Sequence, residues 1–171
     1  VAPFLKRAIP ETIWSRHVCL VVHPGIVGDR GPSALDWAIA DGARDWGVTV
    51  LQAEAEMDAG PVWASAGFAL RQARKSSLYR NEVTEAAVQA VLAAVDRFAA
   101  GDFVPTPLGG DARGRLRPLM GQSERRIDWA RDGTAGILAK INAADGFPGV
   151  VDHLFGRPCQ LFDAWPEASL R

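Results

Sequence analysis

The run VCLVVH, Val18 to His23, constrains the fold more than any other stretch. Branched and apolar residues follow one another without alternation, which suits a strand covered on both faces. The chain then enters PGIVGDRGP, where Pro24, Gly25, Gly28 and Gly31 break regular structure. A lone His therefore stands at the carboxyl end of a buried strand, the edge of an open α/β sheet where ligands bind. Such a His is more often structural than catalytic, so position alone leaves both roles open for His23.

The flanking pattern supplies the rest of a domain. Val1 to Phe4 reads as the end of an earlier strand, and Pro10 with Glu11 opens a short helix to about Arg16. Ser33 offers a capping hydroxyl and Asp36 a box-like partner for a helix that Gly42 ends. Strands are expected at Trp46–Ala55 and Pro61–Leu70, joined through a turn at Asp58–Gly60. The longest helix is expected from Leu78 to Ala100, capped by Ser76 or Ser77 and stopped by Gly101. Its apolar face is Val83, Ala87, Val91, Ala94, Val95 and Phe98.

This alternation predicts an α/β domain over residues 1–101 with a mostly parallel sheet. A shift to Pro, Gly and Arg marks 102–121 as a linker. Residues 122–171 then form a small β-rich unit: a short strand at RRIDW, a helix over Thr134–Ala144, and a hairpin turning near Gly156–Pro158.

Composition excludes several classes. A net charge of −1 gives no overall field for nucleic acid or a membrane surface. Cys19 and Cys159 make neither a disulfide framework nor a metal-ligand pair, which points to a reducing cytoplasm and to no metal. No run approaches the roughly 18 apolar residues of a membrane span, and no signal peptide is visible. GxGxxG and GxxxxGK[ST] are both absent, so no dinucleotide or P-loop reading follows. The openings VAPFLKRAIP and DAWPEASLR, at the two ends, read as cuts within a longer protein whose earlier strands precede Val1.

Asp58 follows the next strand, so its side chain can converge on His23, and a carboxylate is a standard partner for orienting an imidazole. Asp58 before Ala-Gly-Pro is equally a plain turn former. Arg30 can meet an anionic group or pair with Asp29 or Asp36.

HPGIVGDRGPSALDWAI, followed by WGVTVLQAEAEMDAGPVWA, resembles the formyltransferase domain that uses 10-formyltetrahydrofolate, the domain of methionyl-tRNA, sugar and purine formyltransferases. That family carries Asn-x-His at a strand end, a loop ending in Arg-Gly-(Ala/Pro), a Gly-(Val/Ala)-Thr strand and a Met-Asp-x-Gly turn. RRIDW and INAADGFPG with the following hairpin resemble its C-terminal OB-like domain. APFLKRAIP and LQAEAEMDAGPVWAS are most similar to the HypX-type hydrogenase maturation branch.

The resemblance implies a partial Rossmann-like formyltransferase domain followed by the start of a small OB-like domain. It implies His23 and Asp58 as catalytic residues. It also implies folate contacts at Phe4, Leu5, Lys6, Ile9, Gln52, Ala53, Glu54, Ala55 and Glu56, and an acceptor entrance shaped by Gly25, Arg30 and Gly31. In this branch 10-formyltetrahydrofolate gives its formyl group to coenzyme A, and an enoyl-CoA hydratase-like part of the same full-length chain releases carbon monoxide for a nickel–iron hydrogenase. The alternatives are a methionyl-tRNA or sugar formyltransferase, or a non-catalytic folate- or CoA-binding module. One residue departs from the pattern: the family Asn, two places before the His, is Val21. That Asn steadies an oxyanion, and losing one such donor costs about 10²–10³ in rate. A thiol acceptor, more nucleophilic than an amine at neutral pH, fits the loss.

Overall fold

The structure, a computed structural model, describes all residues except Lys6, Asp111, Gly146, Phe147, Ala168, Leu170 and Arg171. The main sheet has the order β1 (Ala2–Pro3), β2 (Leu20–His23), β3 (Asp45–Gln52), β4 (Val62–Ala69). β1 runs parallel to β2, pairing Ala2 with Val21, while β2–β3 and β3–β4 are antiparallel. The α/β class holds, and the expectation of a mostly parallel sheet is corrected to a mixed one. The reason lies between β2 and β3. A parallel crossover needs an element that carries the chain back along the sheet. Here a long glycine-rich loop precedes α2 (Ala34–Ala40), whose seven residues rise only about 10 Å. β3 therefore starts at the end where β2 stopped.

Alternation along β2 sorts the two faces. Leu20 and Val22 enter the core with Val48 and Val50 of β3, Trp63 and Ala64 of β4, and Leu35 and Ala38 of α2. Val21 and His23 face the other way, opposite Leu51 and Thr49. One long helix covers the core face. It begins as α3 (Lys75–Leu78), passes through a π turn at Tyr79–Val83 and continues as α4 (Thr84–Ala100). Its buried side is Val83, Ala86, Ala87, Ala90 and Ala94, small residues that let the helix axis approach the sheet. Val95 and Phe98, expected on that side, are exposed. Gly101, at φ +78°, ends the helix in the left-handed conformation.

Neither Ser76 nor Ser77 caps this helix; Arg74 holds the cap position, with no side-chain cap hydrogen bond. Ser33 likewise makes no cap bond to α2. Its Oγ accepts the Met120 N–H at 3.1 Å instead. β3 stops at Gln52 rather than Ala55.

Residues 102–121 lie strapped across the domain. Thr106 and Val62 exchange backbone hydrogen bonds, Gly114 N–H donates to Val27 O, and Arg117 N–H donates to Arg30 O at 2.9 Å. The Trp37 indole N–H reaches Pro118 O at 2.9 Å.

The C-terminal unit contains α5 (Gln122–Arg125), α6 (Thr134–Ala143) and the hairpin β5 (Val150–Leu154)–β6 (Arg157–Leu161). The hairpin turns through Phe155 and Gly156, both at positive φ, as a two-residue mirror-image turn requires. The short strand expected at RRIDW does not form; α5 and a turn at Asp128–Asp132 take its place. Ile127, Ile141, Ala144 and Val150 make a second, smaller core. Part of the INAADGFPG stretch, Gly146 and Phe147, lies outside the described residues.

Side-chain pairs tie this unit to the first domain. Asp36 of α2 accepts from Lys75 Nζ at 2.9 Å and Arg125 Nη2 at 2.7 Å, Arg74 pairs with Asp163, and Ser76 N–H donates to Asp145. Burial, with Asp36 nearby, pushes the Tyr79 phenol up to about 12. No helix among the described residues is long and apolar enough to cross a membrane.

Candidate active site

Chain ends and loops converge at the carboxyl end of β2. Pairing with β3 sets His23 opposite Thr49, and Thr49 Oγ1 donates to Gly25 O at 2.8 Å in a buried bond. The Trp46 indole N–H donates to Pro24 O at 3.0 Å. These two bonds hold the backbone immediately after His23.

The imidazole of His23 is 4% exposed and stands between two carboxylates. Nε2 lies 2.8 Å from Asp29 Oδ2, and Nδ1 lies 3.5 Å from Asp58 Oδ1. The His23–Asp58 approach expected from the sequence is present. Asp29 was not expected there. It sits six residues after the His, where the Gly25 and Gly28 loop doubles back, and a buried acid in so glycine-rich a loop is the only cue the sequence offers.

Asp58 is held by its own backbone and by the first loop. Its φ of +57° is a left-handed conformation that Asp tolerates better than most residues. Its Oδ2 accepts the Gly31 N–H at 3.2 Å. Gly31, at φ +113°, leaves no room for a side chain, since a Cβ would stand 2.1 Å from Arg117 O. Arg30 Nη1 meets Glu56 Oε1 at 2.5 Å and so links the loop after β2 to the loop after β3.

Beside Asp58 a small cavity opens. Leu5, Ile9, Gln52, Ala53, Glu54 and Glu56, all expected to contact folate, line it together with Val21, Asp58, Arg7, Ala8, Leu51 and Met57. Two expected residues lie elsewhere. Phe4 packs edge-on against Tyr79, ring centroids 5.8 Å apart, and Ala55 points to solvent. Lys6 lies outside the described residues. Gly25, Arg30 and Gly31 do not line this cavity; they build the wall that carries Asp29 and Asp58.

A larger cavity, about 840 Å³, lies away from His23 between the end of α2, the rim of β3 and β4, and α6. Two of its arginines are already paired, Arg71 with Glu82 and Arg74 with Asp163, so the smaller cavity is the one next to reactive groups. Among the described residues, no group of three His, Cys, Asp or Glu side chains is placed to hold a metal ion.

Comparison with known proteins gives the family. Residues 1–95 match the Formyl transferase family model. The chain is 56% identical over 165 residues to the hydrogenase maturation factor HoxX of Bradyrhizobium diazoefficiens, covering 96% of this chain and 29% of that protein. It is 32% identical over 145 residues to a methionyl-tRNA formyltransferase of Roseiflexus castenholzii, covering 84% of this chain and 45% of that one. Among solved structures, HypX from Aquifex aeolicus in complex with tetrahydrofolic acid superposes with a TM-score of 0.92 at 50% identity, over 99% of this chain and 30% of HypX. The chain thus spans under half the length of these relatives.

Proposed function

Because the chain belongs to the formyl transferase family, we propose that it carries the formyl-transfer site of a cytoplasmic hydrogenase maturation protein. On this reading the site moves the formyl group of 10-formyltetrahydrofolate to coenzyme A. The observation that carries the reading is the meeting of His23 and Asp58 at the mouth of a cavity lined by the Gln52–Asp58 loop. Leu5, Ile9, Val21, Leu51 and Met57 give that cavity apolar walls, and Glu54 and Glu56 give it a polar rim. Apolar walls with a few polar groups are the lining a flat heteroaromatic ring such as a pterin takes, and at about 30 Å³ the cavity has to widen to admit one.

The residues divide the chemistry. Asp58, on the cavity wall, takes the acceptor proton as the sulfur–carbon bond forms. It returns that proton to N10 of the folate as the carbon–nitrogen bond breaks, so atoms and charge balance. His23 stands behind Asp58 and steadies it. Val21 adds no hydrogen-bond donor to the cavity wall, which favours a thiol over a less nucleophilic amine. A net charge of −1 argues in the same direction, since a transfer RNA acceptor would call for a basic face. The formyl thioester would pass to an enoyl-CoA hydratase-like part of the full-length protein, which releases carbon monoxide for the nickel–iron centre. The domain limits 1–101, 102–121 and 122–171, with the last as the start of an OB-like domain, belong to the same proposal.

The test is label transfer by the full-length protein from formyl-labelled folate, with coenzyme A, initiator methionyl-tRNA and an amino sugar nucleotide as competing acceptors. Label on coenzyme A supports the reading. Label on either amine moves the protein to the corresponding branch. Tight folate binding with no transfer to any acceptor points to a binding module.

A further inference from the structure

Asp29 has no part in the reaction as described above, yet it is the least exposed carboxylate among the described residues, at 3%. Its neighbour Arg30 turns away to Glu56. Among the described residues, His23 is the one side chain found bonded to the Asp29 carboxylate.

The surrounding backbone is shaped around this contact. A Cβ at residue 25 would lie 2.5 Å from both Asp29 Oδ2 and His23 Nε2, so glycine there lets ring and carboxylate meet. A Cβ at residue 114 would lie 1.8 Å from the Asp29 nitrogen, so the strap closes directly on the turn that carries Asp29. The Asp29 N–H donates to Ile26 O at 2.9 Å and fixes that turn from within.

A carboxylate offers only acceptors, so the 2.8 Å contact with Asp29 is a hydrogen bond when Nε2 carries the proton, whereas Nδ1 at 3.5 Å from Asp58 makes none. We infer that Asp29 is a positioning residue: it holds His23 with Nε2–H turned into the protein and Nδ1 turned towards Asp58. Asp58 lines the cavity, and His23 stands next to it with Nδ1 3.5 Å from Asp58 Oδ1. The proton that Asp58 takes from the acceptor passes to Nδ1 while Nε2–H stays on Asp29. It returns by the same route to the leaving nitrogen, and neither His23 nor Asp29 ends the cycle changed. The kinetic consequence rests on the formyl-transfer reading; the orientation of the ring does not.

The two parts are tested separately in the full-length protein. With ¹⁵N-labelled histidine, the wild-type spectrum should place a proton on Nε2 of His23, the resonance being assigned by its loss in His23→Gln. Asp29→Leu, which is of similar shape and offers Nε2 no acceptor, should lower the share of rings carrying the proton on Nε2. A wild-type ring with Nε2 bare overturns the inference, whether or not any formyl group is transferred. In the transfer assay Asp29→Leu should lower kcat about 10²-fold and leave the folate KM within about twofold. A purely structural residue would lower the melting temperature and leave kcat of the folded protein intact, and that result also overturns it. If the wild-type protein transfers no formyl group, the formyl-transfer reading fails and the ring spectrum alone decides the role of Asp29.

Discussion

Around His23 the polar side chains are buried and bonded across the site; around the β5–β6 hairpin, large apolar side chains stand in solvent. Asp29, Asp58, Gly31 and Thr49 all close on the end of β2. Val151, Leu154, Phe155, Phe162 and Trp165 are exposed on or near the hairpin. The difference shows where each region gets its order. The first is organised by short-range loops against a large core, and so can hold groups in fixed geometry. Among the described residues the second has a small buried cluster and is tied to the first domain by Arg125–Asp36, Arg74–Asp163 and Ser76–Asp145. Chemistry belongs in the first kind of region, where burial keeps reactive groups from drifting.

Core truncation tests that contrast most strongly. Leu35 is fully buried on the inner face of α2, and Leu35→Ala should cost about 3–5 kcal/mol, whereas Ile141→Ala in the small cluster should cost about 2 kcal/mol. Denaturant unfolding measures both. Equal losses would mean that the two cores fold as one cooperative unit and would break the contrast.

Asp36 is the joint between the regions. Asp36→Asn leaves Lys75 and Arg125 without the carboxylate both reach for, in a place where the three side chains are only 10–20% exposed. A loss of about 2–3 kcal/mol is expected, since removing one partner strands a half-buried charge. A loss below about 0.5 kcal/mol, the usual size for an exposed pair, would mean that the joint holds nothing.

The smallest effect concerns pH. Burial pushes the Asp145 carboxyl up, but the Ser76 hydrogen bond and the charges of Arg74 and Lys75 outweigh it and hold the group below its ordinary value. The folded state then binds this proton less tightly than the unfolded state. Its contribution is therefore complete above about pH 4 and is lost as the pH falls through the folded value. Asp145→Asn should flatten the acid limb of the melting-temperature curve and leave the neutral plateau nearly parallel to wild type. An unchanged acid limb would contradict it.

Several of these features were legible in the sequence because they depend on neighbours along the chain. The apolar run ending at His23, the Asp58–Gly60 turn and the Gly101 stop are local events, and the structure has all three. The sheet's direction was not legible, because strand–helix alternation cannot register that a seven-residue α2 never carries the chain back across the sheet. α2 starts after Ser33 as expected, but the long helix starts at Lys75 rather than Leu78, and none of the three serines makes a side-chain cap bond. Ser33 Oγ accepts from Met120 N–H and Ser77 Oγ from Arg71, while Ser76 donates its backbone N–H to Asp145. Asp29 stayed hidden for a similar reason: its role requires Gly25 and Gly114 to clear space around it, and one of these lies 85 residues further on. The cavity next to Asp58 was legible in part, since its loop is continuous in sequence, while Phe4 was lost to Tyr79, a contact that only the fold creates.

The most direct test of the account is Asp58→Asn in the full-length protein, with folate affinity and formyl transfer to coenzyme A measured side by side. Asp58 touches both the cavity and His23, so the account predicts binding within about threefold of wild type and transfer lowered by about 10²-fold or more. Transfer that survives unchanged at equal binding, or that falls only in proportion to lost binding, would contradict it.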